Sequence, residues 1–179
     1  MELYEQFFKI SLDAIAQEDL ALRALFELNE EKYEDQHHGI GFLFETTYVY
    51  LIYKRLLADK FPAKVIWECS YPSQPRKLAD LGLMADGHIT SLIEFKLWKK
   101  ENDKQLVADI AKLNLEQKGI NKWLLVLSFG GNRNQNRKYL TDRNPLLKFL
   151  RDGTISSKWY DFKEHQHKLI NIDLFLFEL

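Results

Sequence analysis

Two carboxylates and one lysine lie in neighbouring apolar segments of the sequence. Glu94 and Lys96 are separated by one residue within residues 89–98, and Asp80 lies in the preceding segment, residues 78–84. An extended strand directs alternate side chains to opposite faces, so Glu94 and Lys96 share one face. Burying either charge without a partner is costly. The spacing therefore predicts an ion pair, a metal ion or an open cleft at that face.

The turn between these two segments brings the carboxylates together. The pair Asp86-Gly87 is typical of a tight β-hairpin turn. Asp80 and Glu94 are at similar distances from that turn, so they face one another on paired strands. Two like charges at that distance require a cation. Mg²⁺ (or Mn²⁺) is expected, because Mg²⁺ takes one or two carboxylates and leaves its other positions for water and phosphate.

Lys96 is a third functional group beside this pair of carboxylates. A lysine beside the metal ion can stabilise negative charge on a phosphate under attack, or lower the pKa of the attacking water. The three groups thus predict metal-assisted hydrolysis of phosphodiester bonds. A cross-strand salt bridge of Lys96 with Asp80 or Glu94 is the structural alternative.

Two helices are predicted before these strands. Apolar residues recur at helical spacing from Glu2 to Leu28, which indicates one long helix or two short ones. A second stripe predicts a helix from near Gly41 to Lys60. Glu45 lies at the edge of this buried stripe, so it either has a cation or a hydrogen-bonding partner, or extends to solvent.

The remaining elements alternate between strand and helix. Residues 65–71, 78–84 and 89–98 are predicted as strands and residues 103–115 as a helix. Residues 123–129 are almost continuously apolar, which is typical of a strand at a sheet centre. A polar loop at residues 130–138, a short helix at 145–150 and a last strand at 168–177 complete the prediction.

The chain resembles the PD-(D/E)XK nucleases, also called the restriction-endonuclease-like superfamily. The match is Asp80, thirteen intervening residues and Glu94-Phe95-Lys96, within a helix, three strands, helix, strand order over residues 39–129. Ala79 replaces the proline that names the family. The resemblance implies an α/β fold with a restriction-endonuclease-like core, a central mixed sheet flanked by helices, and an extra N-terminal helical segment.

The resemblance also implies the roles of the site residues. Asp80 and Glu94 would bind Mg²⁺ or Mn²⁺, Lys96 would be catalytic, and Glu45 would complete the metal site. One domain over residues 1–179 is expected, with a helical extension (1–38), a core (39–130) and a C-terminal addition (131–179). The implied function is metal-dependent hydrolysis of nucleic acid, with DNA as the expected substrate and a homodimer for cutting both strands. The enzyme would be an endonuclease or an exonuclease. One alternative is an inactive or weak nuclease-fold module that binds nucleic acid or a protein partner, and another is a nuclease for RNA or for damaged or branched DNA.

Further polar residues are secondary candidates. Gln105, Asp109 and Lys112 lie on one face of the predicted helix after the motif, either towards the site or as a solvated face with an Asp109–Lys112 pair. Five cations are candidate phosphate contacts or solvated surface: Lys99, Lys100, Arg133, Arg137 and Lys138. Trp98 either stacks on a base or packs in the core.

Composition narrows the class of protein. The 179 residues include 25 Lys and Arg against 26 Asp and Glu, a net charge of −1 that excludes a histone-like polycation. The single cysteine excludes an internal disulfide and a cysteine-based zinc site. No apolar run is long enough to cross a bilayer, and the acidic start does not match a signal peptide. A cytoplasmic protein without membrane contact is therefore expected.

Overall fold

A six-stranded mixed sheet forms the centre of the fold. The computed structural model describes residues 1–28, 39–99, 103–116, 118–161 and 166–179. The strands are β1 (Lys64–Tyr71), β2 (Gln74–Ala85), β3 (His88–Trp98), β4 (Asn121–Phe129), β5 (Lys148–Asp161) and β6 (Gln166–Glu178). Four α-helices lie in these described ranges: α1 (Leu3–Glu27), α2 (Glu45–Ala58), α3 (Asp103–Asn114) and α4 (Arg133–Arg143). A short 3-10 helix at Gly39–Phe42 precedes α2.

The strand order in the sheet is β1-β2-β3-β4-β6-β5. β3 and β4 are parallel, and every other neighbouring pair is antiparallel. The parallel pair is joined through α3, as a parallel connection requires a crossover. The predicted α/β class and the mixed sheet are confirmed. β4 lies inside the sheet between β3 and β6, as its apolar run predicts.

Helices cover both faces of the sheet. The first hydrophobic cluster contains apolar side chains of α1 and α2 together with β3 residues Ile93 and Phe95. The second contains Leu106, Ile110 and Leu113 of α3 and Leu140 of α4. The N-terminal helix is thus part of the main core, with Phe7 and Ile15 fully buried in the first cluster.

The hairpin between β2 and β3 has the predicted turn. Asp86 and Gly87 both have positive φ, at 51° and 80°. This is the conformation that an Asp-Gly hairpin turn adopts. Pairing then runs from Ala85–His88 to Leu81–Ile93. Asp80 and Glu94 are therefore the next residues along the two strands.

The side chains of β1 and β2 change from one face of the sheet to the other at one point. Trp67 and Leu81 pair and contact the first cluster, whereas Cys69 and Ala79 pair and belong to the second. Between them Glu68 has φ 49°, a left-handed conformation that is uncommon outside glycine. The change of face places Tyr71 in the second cluster, on the side of the sheet where α3 lies.

Three predicted elements need correction. The second helix begins at Glu45 and ends at Ala58, with a 3-10 helix before it, instead of running from Gly41 to Lys60. The loop predicted at 130–138 is wrong, because α4 begins at Arg133. The helix predicted at 145–150 is also wrong, because a turn there leads into β5. In the described ranges, no helix is long and apolar enough to cross a membrane.

Candidate active site

β2 and β3 separate where the motif residues lie. Leu81–Ile93 is the last pair of their ladder on this side. Beyond it, two backbone N–H groups of β3 donate to side chains instead of to β2. Phe95 N donates to Asp80 Oδ2 at 2.7 Å, and Leu97 N donates to Glu45 Oε2 at 3.0 Å. Carboxylates from β2 and α2 thus replace the missing strand partner and converge on β3.

Glu45 reaches the sheet from the first turn of α2. It is the first residue of that helix, and Val49, Ile52 and Leu56 on the same stripe are buried. Besides accepting from Leu97 N, its Oε1 lies 3.0 Å from Lys96 Nζ. Glu45 therefore has both a cation and a backbone N–H donor as partners. Of the two alternatives predicted for Glu45, this is the carboxylate with a partner, and not the one that extends to solvent.

Lys96 lies between carboxylates of two different helices. Its ammonium is 3.0 Å from Glu45 Oε1 and 3.1 Å from Asp109 Oδ2, and the residue is only 8% exposed. Burial alone lowers the pKa of Lys96, but the hydrogen bonds and charges of Glu45 and Asp109 outweigh burial and raise it. Lys96 is thus held protonated. Within the described residues Lys96 therefore pairs with Glu45 and Asp109. The salt bridge to Asp80 or Glu94 that was the alternative to a catalytic role does not form among them.

Glu94 is buried and bound through one oxygen. The residue is 3% exposed, and its Oε1 accepts a hydrogen bond from Tyr71 Oη at 2.5 Å and contacts Lys112 Nζ at 2.6 Å. Burial, followed by the charge of Asp80, raises the pKa of Glu94 to about 7, although Lys112 and Tyr71 oppose this rise. Burial and the Glu94 carboxylate likewise raise the pKa of Tyr71.

Asp80 is the second carboxylate of the pair. Burial raises its pKa, the hydrogen bond from Phe95 N opposes this rise, and the charge of Glu45 adds to it. Because the charge of Asp80 also raises the pKa of Glu94, the two carboxylates interact electrostatically. Like-charged acids at short distance favour a cation between them.

The carboxylates of the site offer oxygen ligands of the kind that a divalent metal ion binds. Asp80 Oδ1 and Glu94 Oε2 make no hydrogen bond to any described residue, whereas the other oxygen of each carboxylate is occupied. Four carboxylates (Glu45, Asp80, Glu94 and Asp109) face two ammonium groups (Lys96 and Lys112), so the site carries an excess of two negative charges when all six groups are ionised. Two carboxylates suffice for Mg²⁺, so Asp80 and Glu94 fit such an ion. Across the described ranges no three His, Cys, Asp or Glu side chains form a ready-made metal cluster.

The predicted face of α3 is divided between the site and solvent. Asp109 contacts Lys96 and Lys112 contacts Glu94, so both side chains reach β3. The alternative Asp109–Lys112 pair is therefore wrong. Gln105 is exposed. Trp98 is buried in the second cluster and donates from Nε1 to Asp103, so it packs.

The candidate phosphate contacts occupy different surroundings. Arg133 and Arg137 of α4 lie 3.8 Å and 3.5 Å from Asp152 of β5. Lys99 and Lys138 are exposed, and Lys100 lies outside the described residues. Contact of these cations with phosphate stays a prediction.

Comparison with known proteins identifies no relative of the chain. No protein-family model matches the chain, and neither curated proteins nor solved structures give a match. The functional interpretation therefore depends on the contacts around Asp80, Glu94 and Lys96.

Proposed function

We propose that the protein is a divalent-metal-dependent nuclease that hydrolyses phosphodiester bonds of DNA. One observation carries this proposal. Asp80 and Glu94 are held by one oxygen each and leave the other without a hydrogen bond to a described residue, at the point where β2 and β3 separate. The protonated Lys96 projects from the same strand as Glu94, two residues further on.

The order of elements supports a nuclease of the PD-(D/E)XK type with a restriction-endonuclease-like core. α2, β1, β2, β3, α3 and β4 follow the helix, three strands, helix, strand order of that family. The aspartate lies on β2, the Glu-x-Lys segment lies on β3, and a glutamate on the preceding helix contacts Lys96 and Leu97 of β3. This agreement in order supports the proposal in addition to the site chemistry.

Each residue has a definite part in the proposed reaction. Mg²⁺ or Mn²⁺, when bound, supplies an activated water and neutralises charge on the phosphate. Asp80 and Glu94 would hold the ion, and Glu45 would either complete this set or keep Lys96 in position. Lys96 donates hydrogen bonds to the phosphate oxygens or to the attacking water, and so stabilises the charge that develops during cleavage.

The proposal extends to partners and location. DNA is the substrate, and a homodimer would cut both strands of a duplex, because one chain offers one such site. The single thiol, Cys69, is free and buried, which is compatible with the reducing cytoplasm.

A second candidate is a catalytically inactive module that binds nucleic acid or a protein partner. The observation in its favour is that Lys96 and Lys112 already neutralise carboxylates of the site. Such a module would bind DNA in a salt-sensitive manner that Glu94→Ala leaves unchanged, and it would cleave neither DNA nor RNA.

Cleavage of supercoiled plasmid and linear duplex DNA tests the proposal. We expect cleavage with Mg²⁺ or Mn²⁺, and none with EDTA or in Asp80→Asn. Asp86→Asn in the hairpin turn is the matched control, because asparagine tolerates its positive φ and the turn is distant along the strand from the site. Cleavage that survives both EDTA and Asp80→Asn would contradict the proposal.

A further inference from the structure

Tyr71 and Lys112 form a buried group around a single oxygen of Glu94. Tyr71 is fully buried, and its hydroxyl donates to Glu94 Oε1. Lys112 approaches the same oxygen at 2.6 Å and lies over the Tyr71 ring, 5.4 Å from its centroid. The three side chains come from three different elements, β1, β3 and α3.

This arrangement leaves Glu94 Oε2 without a hydrogen bond to any described residue. Asp80 shows the same pattern, because Phe95 N donates to its Oδ2, whereas Oδ1 makes no hydrogen bond to a described residue. A buried ion pair contributes little to stability by itself, since desolvation offsets the attraction. Hydrogen bonds that orient a carboxylate, in contrast, are the usual support of a metal ligand.

We propose that Tyr71 and Lys112 are positioning residues that hold Glu94 by Oε1 and direct Oε2 to the divalent metal ion. The inference rests on the proposed metal-dependent function. Neither residue touches substrate or metal in this account, because both act through Glu94. The role of Tyr71 depends on the change of face at Glu68, which brings its hydroxyl to the α3 side of the sheet.

Titration of the protein with Mn²⁺ in a calorimeter tests the inference without a nuclease assay. Tyr71→Phe removes only the hydroxyl, and Lys112→Met removes the ammonium group, both its charge and its N–H donors. We expect each change to weaken Mn²⁺ binding by about tenfold or more, which is the usual effect of losing an orienting partner. Lys112→Arg restores a donor to Glu94, and we expect it to recover most of the affinity.

Matched controls separate positioning from general stability. Tyr53→Phe changes a tyrosine of α2 that packs on Trp67, and Lys104→Met changes an exposed lysine of α3. We expect both controls to bind Mn²⁺ like the unmodified protein. Thermal melts without metal identify any variant that does not fold. If either Tyr71→Phe or Lys112→Met does not fold, the other of these two variants decides the test.

Two results would overturn the inference, and they have different meanings. If the unmodified protein binds Mn²⁺ and the Tyr71 and Lys112 variants bind it equally well or more tightly, Glu94 does not need these partners, and the proposed function stands. If the unmodified protein binds no Mn²⁺, the proposed function and the inference both fail.

Discussion

Asp80 Oδ2 accepts a hydrogen bond of 2.7 Å from the backbone N–H of Phe95. A side chain of β2 thus binds β3 where the backbones of the two strands no longer pair. The separation opens the sheet at this point, and the carboxylate satisfies a donor that would otherwise lack a partner. The same contact fixes Asp80 beside Glu94, so the splaying of two strands and the assembly of the site have one structural cause.

Asp80→Asn is expected to make the protein more stable while it removes nuclease activity. Burial raises the pKa of Asp80, so the charged form is unfavourable in the folded protein without metal. Asparagine keeps an oxygen acceptor for Phe95 N and removes this charge. We expect the free energy of unfolding in EDTA to rise by about 1 kcal/mol. Urea denaturation measures it, with Asp86→Asn as the control, and a clear loss of stability would contradict the account.

Lys96→Met is expected to reduce both stability and activity. The change leaves Glu45 and Asp109 without their shared cation. Because Glu45 is partly exposed, solvent screens part of the loss, and we expect a destabilisation of about 2 kcal/mol. We expect DNA cleavage to fall by about 100-fold or more. Lys104→Met should change neither quantity, and equal effects of the two substitutions would exclude a special role for Lys96.

Stability should depend on pH through Glu94. Its pKa is about 7 in the folded protein against an ordinary value of 4.5, so the folded state binds this proton more tightly than the unfolded chain does. The resulting stabilisation is complete below the ordinary pKa and is lost as the pH rises through about 7.

Glutamine at position 94 does not titrate, so Glu94→Gln isolates this effect. From about pH 5 to about pH 7.5, we expect the variant to gain about 2 kcal/mol of unfolding free energy relative to the unmodified protein, in EDTA. Denaturation curves at several pH values measure the difference. A difference that does not change with pH would show that Glu94 titrates normally.

The contact between α1 and β5 should matter for stability and not for chemistry. Ser157 Oγ donates to the buried Asp19 Oδ1 at 2.6 Å, and Arg23 lies 3.0 Å from Asp19 Oδ2. Ser157→Ala removes a donor to a buried carboxylate, so we expect a loss of about 1 to 3 kcal/mol with unchanged cleavage by the folded protein. The exposed Ser156→Ala is the control. Loss of activity in folded Ser157→Ala would link this region to the site.

Much of the fold could be predicted because its periodicities are strong. The apolar stripe of α1, the alternation of β3 and the apolar run of β4 each indicate one type of element. α4 was missed because only Asn136 and Leu140 of it are buried, so it has no apolar stripe. β5 was missed because it is a polar strand at the edge of the described sheet, where it pairs with β6.

The site was predictable in part for similar reasons. Strand periodicity places Glu94 and Lys96 on one face, and the Asp-Gly turn aligns Asp80 with them. Regular alternation would put Tyr71 on the face of Trp67, and the left-handed residue Glu68 changes this without any signal in the sequence. The partner of Lys112 was missed because its spacing from Asp109 suggested a pair within the helix.

The most direct test of the central claim is a crystal of the protein soaked in Mn²⁺ and examined by anomalous diffraction. We expect one anomalous peak bonded to both Asp80 and Glu94, with Lys96 beside it. A crystal saturated with Mn²⁺ that shows no peak between these two carboxylates would contradict the account.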